Sequence, residues 1–322
     1  MRTYVLRRLL QLIPLLLALV VLTFLLLKLA PGDYATGLAE NPQVSAETLD
    51  AMRHRFGLDQ PWHVQLVLYL KNLILHLDLG QSFSRQQPVT TVLREGLLNT
   101  LLLALAGALV TWGLAIPLGV LAAARHNSGV DRALSVVAFL GLSVPEVLSG
   151  LLLLMLAART GWFPVGGMRS LDWDTLPLAG RALDLLRHLV LPALTVGLVP
   201  LASRMRQMRA SLLDVLRLDY VVTARAKGLG EGAVVWKHAL RNALNPLITL
   251  FGYTLGSLLS GSLVAEIIFS WPGLGRVTYE AILARDQYLV VGSVLLAAVV
   301  LVLGNLVADV LLLAADPRIR DD

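Results

Sequence analysis

Between Arg8 and Lys28 the chain carries no charged side chain. As a helix, residues 9–30 would measure about 33 Å, enough to cross a hydrocarbon core of roughly 30 Å. Five more apolar stretches follow, at about 97–124, 133–158, 185–201, 244–265 and 288–315. With 56% hydrophobic and 15% charged residues over 322 positions, so much apolar surface excludes an ordinary water-soluble fold. The expected fold class is an all-α membrane protein with six transmembrane helices. The first run is longer than a signal-peptide core, and Ala30-Pro31-Gly32 lacks a small-x-small cleavage pattern, so residues 9–30 read as a retained anchor.

Charge sets the orientation. Arg2, Arg7 and Arg8 precede the first run with no acid among them, which places the N-terminus in the cytoplasm. Residues 125–132 then form an inner loop, with Asp131 against flanking arginines. From Arg204 to Arg241 eight Lys or Arg face only Asp214, Asp219 and Glu231, the strongest bias in the chain. Both termini are expected to be cytoplasmic, with 31–95, 159–184 and 266–287 outside. The resulting divisions are an N-terminal transmembrane helix (1–30), an extracytoplasmic insertion (31–95) and a five-helix core (96–322) with a cytoplasmic loop at about 204–243. The net charge of +5 follows from this asymmetry and gives no reason to invoke nucleic acid.

Most site chemistry is absent. There is no cysteine, hence no disulfide or thiolate. No G-x-x-x-x-G-K-[ST] and no H-E-x-x-H occurs, and His54, His63, His76, His126, His188 and His238 are scattered, so neither a nucleotide nor a metal site is expected. Gly228-x-Gly230-x-x-Ala233 matches the loose dinucleotide pattern without its strand and helix context.

What remains is a basic island between apolar spans, residues 219–246, DYVVTARAKGLGEGAVVWKHALRNALNP. Asp219 suits an N-cap, Arg225 and Lys227 fall in a last turn where the helix dipole favours cations, and Gly228 suits a left-handed stop. After the turn a second helix would align Trp236, Leu240, Ala243 and Leu247 on one face, with Lys237, His238 and Arg241 towards the other. A basic helix lying on anionic lipid is one reading, favoured by Trp236 and Lys237. A compact knob that docks a protein is the other, favoured by the cap and the stop. Polar residues within spans are few: Glu146 beside Pro145 in the middle of the third, and Asn305 and Asp309 in the last. A translocation path and plain interhelical hydrogen bonding both fit them. Small residues Gly252, Gly256 and Ser260 form a four-residue stripe on the fifth span.

DYVVTARAKGL followed by KHALRNALNP resembles the cytoplasmic loop of integral-membrane permeases in ATP-binding-cassette (ABC) importers, in its dipeptide/oligopeptide form. YVLRRLLQLIP at the start, PGD at 31–33, GLDQPW at 57–62, DLGQS at 78–82, Asn99-Thr100, FSWPGLGR at 269–276 and DPRIR at the end are similar to that family in order and spacing. The general importer loop pattern is met only at Ala224, Gly228 and Leu240, while the peptide-type T-A-R-A-K-G and H-A-L-R-N-A are kept. Val222 stands where relatives often have Arg.

The resemblance implies a type I importer permease fold in a bacterial inner membrane. It also implies a second homologous permease, two ABC ATPase subunits that bind ATP and Mg, and an extracytoplasmic substrate-binding protein. It implies that Asp219, Tyr220, Thr223, Ala224, Arg225, Lys227, Gly228, His238 and Arg241 form the ATPase-docking coupling loop. Trp271, Pro272 and Gly273 would lie at the periplasmic gate or binding-protein contact, and Pro145 and Glu146 on the path. The chain itself would be non-catalytic, without a cofactor. Nickel chelates, glutathione or sugars are alternative cargoes. An autonomous secondary carrier using Glu146 and Asp309, or an intramembrane enzyme, are readings of another class, the last lacking a nucleophile and base.

Overall fold

The computed structural model describes residues 2–30, 32–39, 44–248, 250–251 and 262–315, with side chains for all of these except 2–9, 38, 305 and 307–315. Among the described residues the fold is helical, with one isolated antiparallel bridge between Gln81 and Pro88. The chain divides into two compact units, Met1–Thr100 with Pro272–Leu303, and Leu101–Trp271 with Gly304–Asp322.

The first unit contains α1 (Arg2–Leu29), α2 (Tyr34–Leu38), α3 (Ala46–Phe56), α4 (Trp62–His76), and the opening turns of α5 (Val89–Ala124). Its boundaries follow capping chemistry. Asp33 and Thr36 close a reciprocal capping box on α2, Ser45 caps α3, and Gly57 ends α3 in the left-handed conformation. α4 is not a freely solvated external element. Leu66 and Tyr69 are buried with Val20 and Phe24 of α1, and its outer face exposes Val67, Leu68, Ile74 and Leu75.

Two later helices complete this unit: α12 (Leu274–Leu283) and the start of α13 (Gln287–Ala315). The buried Asp286 between them accepts hydrogen bonds from Ser82 Oγ at 2.6 Å, Ser84 N at 2.9 Å and Ser84 Oγ at 2.8 Å. It also caps α13 by accepting from Leu289 N at 3.2 Å. The loop that carries DLGQS is thus a clip onto the α12–α13 corner.

In the second unit α5 continues to Ala124, followed by α6 (Gly129–Ser143), α7 (Glu146–Thr160), α8 (Leu178–Val215), α9 (Asp219–Ala226), α10 and α11 (Leu263–Ile268). α10 starts as Glu231–Ala233, passes through a π-helical stretch over Val234–Ala239 and returns to α geometry over Leu240–Ala243. The third apolar run is broken where Pro145 suggests: Val144 is extended, as a residue before proline must tend to be, and the chain bends by 102° from α6 to α7. Pro117, Pro192 and Pro200 end no helix. α8 therefore runs 38 residues, about 57 Å, well past the apolar segment 185–201. α5 and α8 approach so closely that a Cβ on Gly197 would lie 2.8 Å from the Gly107 carbonyl oxygen. Thr111 Oγ1 donates to the Gly197 carbonyl at 2.8 Å beside it.

Among the described residues four helices, α1, α5, α8 and α13, are long and apolar enough to cross a membrane, and the bent α6–α7 pair makes up to five spans. In the stretch expected as the fifth span, residues 245–248 and 250–251 are helical. Gly252, Gly256 and Ser260 lie outside the described residues, as do the DPRIR terminus and the side chains of Asn305 and Asp309.

Candidate functional site

The basic island folds as the helix, turn and helix that its capping residues suggest, with three corrections. Asp219 is not the N-cap. Leu218 occupies that position without a side-chain bond, and Asp219 is the first helical residue, where its charge still meets the positive end of the dipole. Trp236 does not share the buried face: it is 56% exposed, while Val235, Ala239, Ala243 and Leu247 are buried. The π stretch shifts the helical phase there, which a constant 3.6-residue period cannot anticipate. Ala224, expected on the docking surface, is turned inward and buried with Val221 against Leu212, Val234 and Val235.

Gly228 has φ of +79° and open space where a Cβ would point, so it is glycine for its backbone and not for want of room. Arg225 grips the opening of α10: its Nε donates to Glu231 Oε1 at 2.7 Å and its Nη2 to Oε2 at 3.3 Å. The Tyr220 hydroxyl accepts from Asn242 Nδ2 at 2.8 Å, and Ser211 Oγ of α8 donates to the Ala243 carbonyl at 2.7 Å. The two helices and the end of α8 form one braced body. Outward it presents Tyr220, Val222, Leu229 and Trp236 among Lys227, Lys237 and Arg241, with Thr223 also exposed and His238 half-buried. Ser211, Glu231 and Asn242 carry no sequence signal of these contacts, since their partners lie on other helices.

Asp131 has a different role from the loop charge balance expected of it. Its carboxylate is buried and takes a forked pair of hydrogen bonds from Arg209 of α8, at 2.6 and 2.8 Å. That joins α6 to the half of α8 that leads into α9.

The other expected positions are less uniform. Trp271 is fully buried in the core of the second unit, so it presents no surface to a binding protein. Within the first unit, Pro272 is exposed, its carbonyl accepts from Asn99 Nδ2 at 2.8 Å, and Gly273 caps α12. Thr100 Oγ1 accepts from Leu274 N at 2.7 Å, which explains the Asn99-Thr100 pair as a brace for this turn. Pro145 is exposed at the elbow; Glu146 is half-buried, and its Oε1 has no hydrogen-bond partner among the described residues. Arg204 Nε and Trp112 Nε1 share that state, the guanidinium lying 5.9 Å from the indole, as does the Tyr69 hydroxyl of α4. No cluster of three metal-ligating side chains occurs among the described residues.

The family described as the inner membrane component of binding-protein-dependent transport systems matches residues 115–321, and its N-terminal counterpart matches residues 1–104. The chain is 40% identical to the oligopeptide transport system permease protein AppB of Bacillus subtilis (strain 168), over 99% of this chain and 100% of that one. It is equally 40% identical to the di/tripeptide transport system permease protein DppB of Pseudomonas aeruginosa (strain UCBPP-PA14), over 99% of each. A putative peptide transport system permease protein of Brucella abortus (strain 2308) is 41% identical over all of both chains. Among solved structures, inward-facing MetNI methionine ABC transporter crystals contain a similar fold. One has a TM-score of 0.54 at 18% identity, covering 70% of this chain and 96% of that one. A multi-helix apolar body, a braced basic knob and family matches along nearly the whole length converge: the chain belongs to the inner-membrane components of binding-protein-dependent transport systems.

Proposed function

We propose that this chain is a permease subunit of an ATP-driven importer of di- or oligopeptides. It forms half of a translocation path with a second, homologous permease and crosses the membrane six times with both termini in the cytoplasm. Two separate ATPase subunits, which bind ATP and Mg, receive the knob of one permease each, and an extracytoplasmic binding protein delivers the peptide. The full-length similarity to chains named as peptide permeases supports the cargo.

The observation that carries the coupling role is the brace. Buried Val221 and Ala224 and the Arg225–Glu231 fork fix α9 against α10 and the end of α8, so a push on the exposed Tyr220, Thr223 and Lys227 is transmitted along α8 instead of being absorbed by a hinge. In this reading Ala224 and Gly228 set the shape of the knob, and Arg225 works within the chain while its outer edge meets the partner. His238 and Arg241 flank the contact.

Gly228→Val tests it. The left-handed backbone penalises a β-branched residue by roughly 1–2 kcal/mol, enough to distort the turn and too little to unfold the chain. In the assembled complex in proteoliposomes, membrane insertion is expected to be unchanged while peptide-stimulated ATP hydrolysis falls at least about tenfold, equivalent to some 1.4 kcal/mol of coupling. Wild-type stimulation in this variant would remove the lever from the account.

A further inference from the structure

At the end of α1 lies a cavity of about 480 Å³, a volume within the range of small-ligand sites. Phe24, Leu27 and Ile282 form its apolar wall, Trp62 stands at its edge, and Lys28 and Arg285 supply its charge. Asp33 also borders it, but that carboxylate is already engaged by Thr36 N at 2.7 Å, Thr36 Oγ1 at 2.6 Å and Arg53 Nε at 3.2 Å. The side chains of Lys28 and Arg285 have no hydrogen-bond or ion-pair partner among the described residues. Two uncommitted cations therefore share a half-enclosed space.

The backbone is specialised to keep the arginine there. Arg285 follows the C-cap of α12 with φ of +56°, at the left-handed position that glycine usually occupies after a helix. Gly32, itself at φ +82°, makes room for it: a Cβ there would lie 2.7 Å from Arg285 Nη1. The arginine thus stands in a conformation usual for glycine, and Gly32 leaves its guanidinium room beside the cavity.

Depth identifies the ligand chemistry. Lys28 is in the last turn of an apolar helix long enough to cross the bilayer, so its ammonium reaches the level of lipid phosphates. Trp62 is a residue type enriched at that level. Leu29 of α1 lines the cavity and is exposed, as are Leu22, Leu25 and Leu26 on the preceding turns, an apolar surface on which an acyl chain can lie.

We propose that Lys28 and Arg285 hold the phosphate of a phospholipid headgroup, with the acyl chains along α1. Its outer-leaflet location rests on the cytoplasmic N-terminus proposed above; the binding itself does not, because a nanodisc presents both leaflets. The test is native mass spectrometry of the full-length chain in its complex, released from phosphatidylglycerol nanodiscs, with gel filtration confirming intact assemblies. Retained phosphatidylglycerol is expected to fall about fivefold for Lys28→Gln and for Arg285→Gln, the effect of one cation near a headgroup. Arg285→Lys should keep most of it. Lys71→Gln removes an exposed cation of α4 outside the cavity and should change nothing. Equal retention by the wild type and the Lys28→Gln/Arg285→Gln double variant would overturn the site, as would an equal loss with Lys71→Gln. Displacement of the lipid by millimolar inorganic phosphate would instead assign the two cations to a free anion and overturn the lipid.

Discussion

Asp131 and Arg209 carry the strongest constraint at the scale of single residues. The carboxylate is buried and the guanidinium is partly so, and their forked geometry is the one in which an arginine pair is stronger than a point-charge contact. Removing Arg209 alone would leave a buried carboxylate with its other contacts, the Asn127 backbone amide at 3.0 Å and His126 at 3.5 Å. Such one-sided removal costs about 3 kcal/mol. Arg209→Ala is therefore expected to lower the thermal unfolding midpoint of the detergent-solubilised chain by several degrees, whereas Glu231→Gln, at the exposed Arg225 fork, should shift it hardly at all. An indistinguishable pair of midpoints would show that Asp131 is solvated after all. Sequence spacing could not reveal this pair, because Asp131 sits among nearer arginines and its partner is 78 residues away. Gly228 was legible for the opposite reason: a left-handed stop is a local property, announced by the glycine itself.

Among the elements, α8 links the membrane body to the knob, and its course depends on a backbone crossing with α5. At Gly197 the obstructing atoms are the Gly107 carbonyl and the Val110 side chain, both within 2.8 Å of a built Cβ. Backbone cannot swing aside as a flexible side chain can, so Gly197→Ala should cost about 1–3 kcal/mol through overpacking, read as a lower unfolding midpoint and a reduced yield of folded chain. A wild-type midpoint would show that the helices separate freely. Apolar length and proline placement made α1, α5 and the α6–α7 elbow readable in the sequence, since each is decided by neighbours along the chain. The extension of α8 to Val215 and the outward Trp236 were not, because the first is settled by burial of Met205, Met208 and Leu212 and the second by the π stretch in α10.

For the whole molecule the composition supplies a direct means to measure topology. The chain has no cysteine, so any single introduced thiol reports alone. Asp174→Cys lies in the exposed segment between α7 and α8, and Arg125→Cys in the exposed turn between α5 and α6. With both termini cytoplasmic, a membrane-impermeant maleimide applied to intact cells should label the first, and the second only after the membrane is opened. The reverse pattern would invert the topology and with it the assignment of the knob to the cytoplasm.

The clip at Asp286 also has a meaning in time. Ser82 and its carboxylate partner are 204 residues apart in sequence, and synthesis proceeds at about 5–20 residues per second. The loop bearing Ser82 and Ser84 therefore emerges roughly 10–40 s before the corner that closes it exists. During that interval the first unit lacks α12, α13 and the buried carboxylate, and its apolar faces are open to chaperone, insertase or protease. Completion of this unit is a late event in biogenesis, and a chain truncated before residue 286 is expected to be cleared even though every residue of its N-terminal portion is intact.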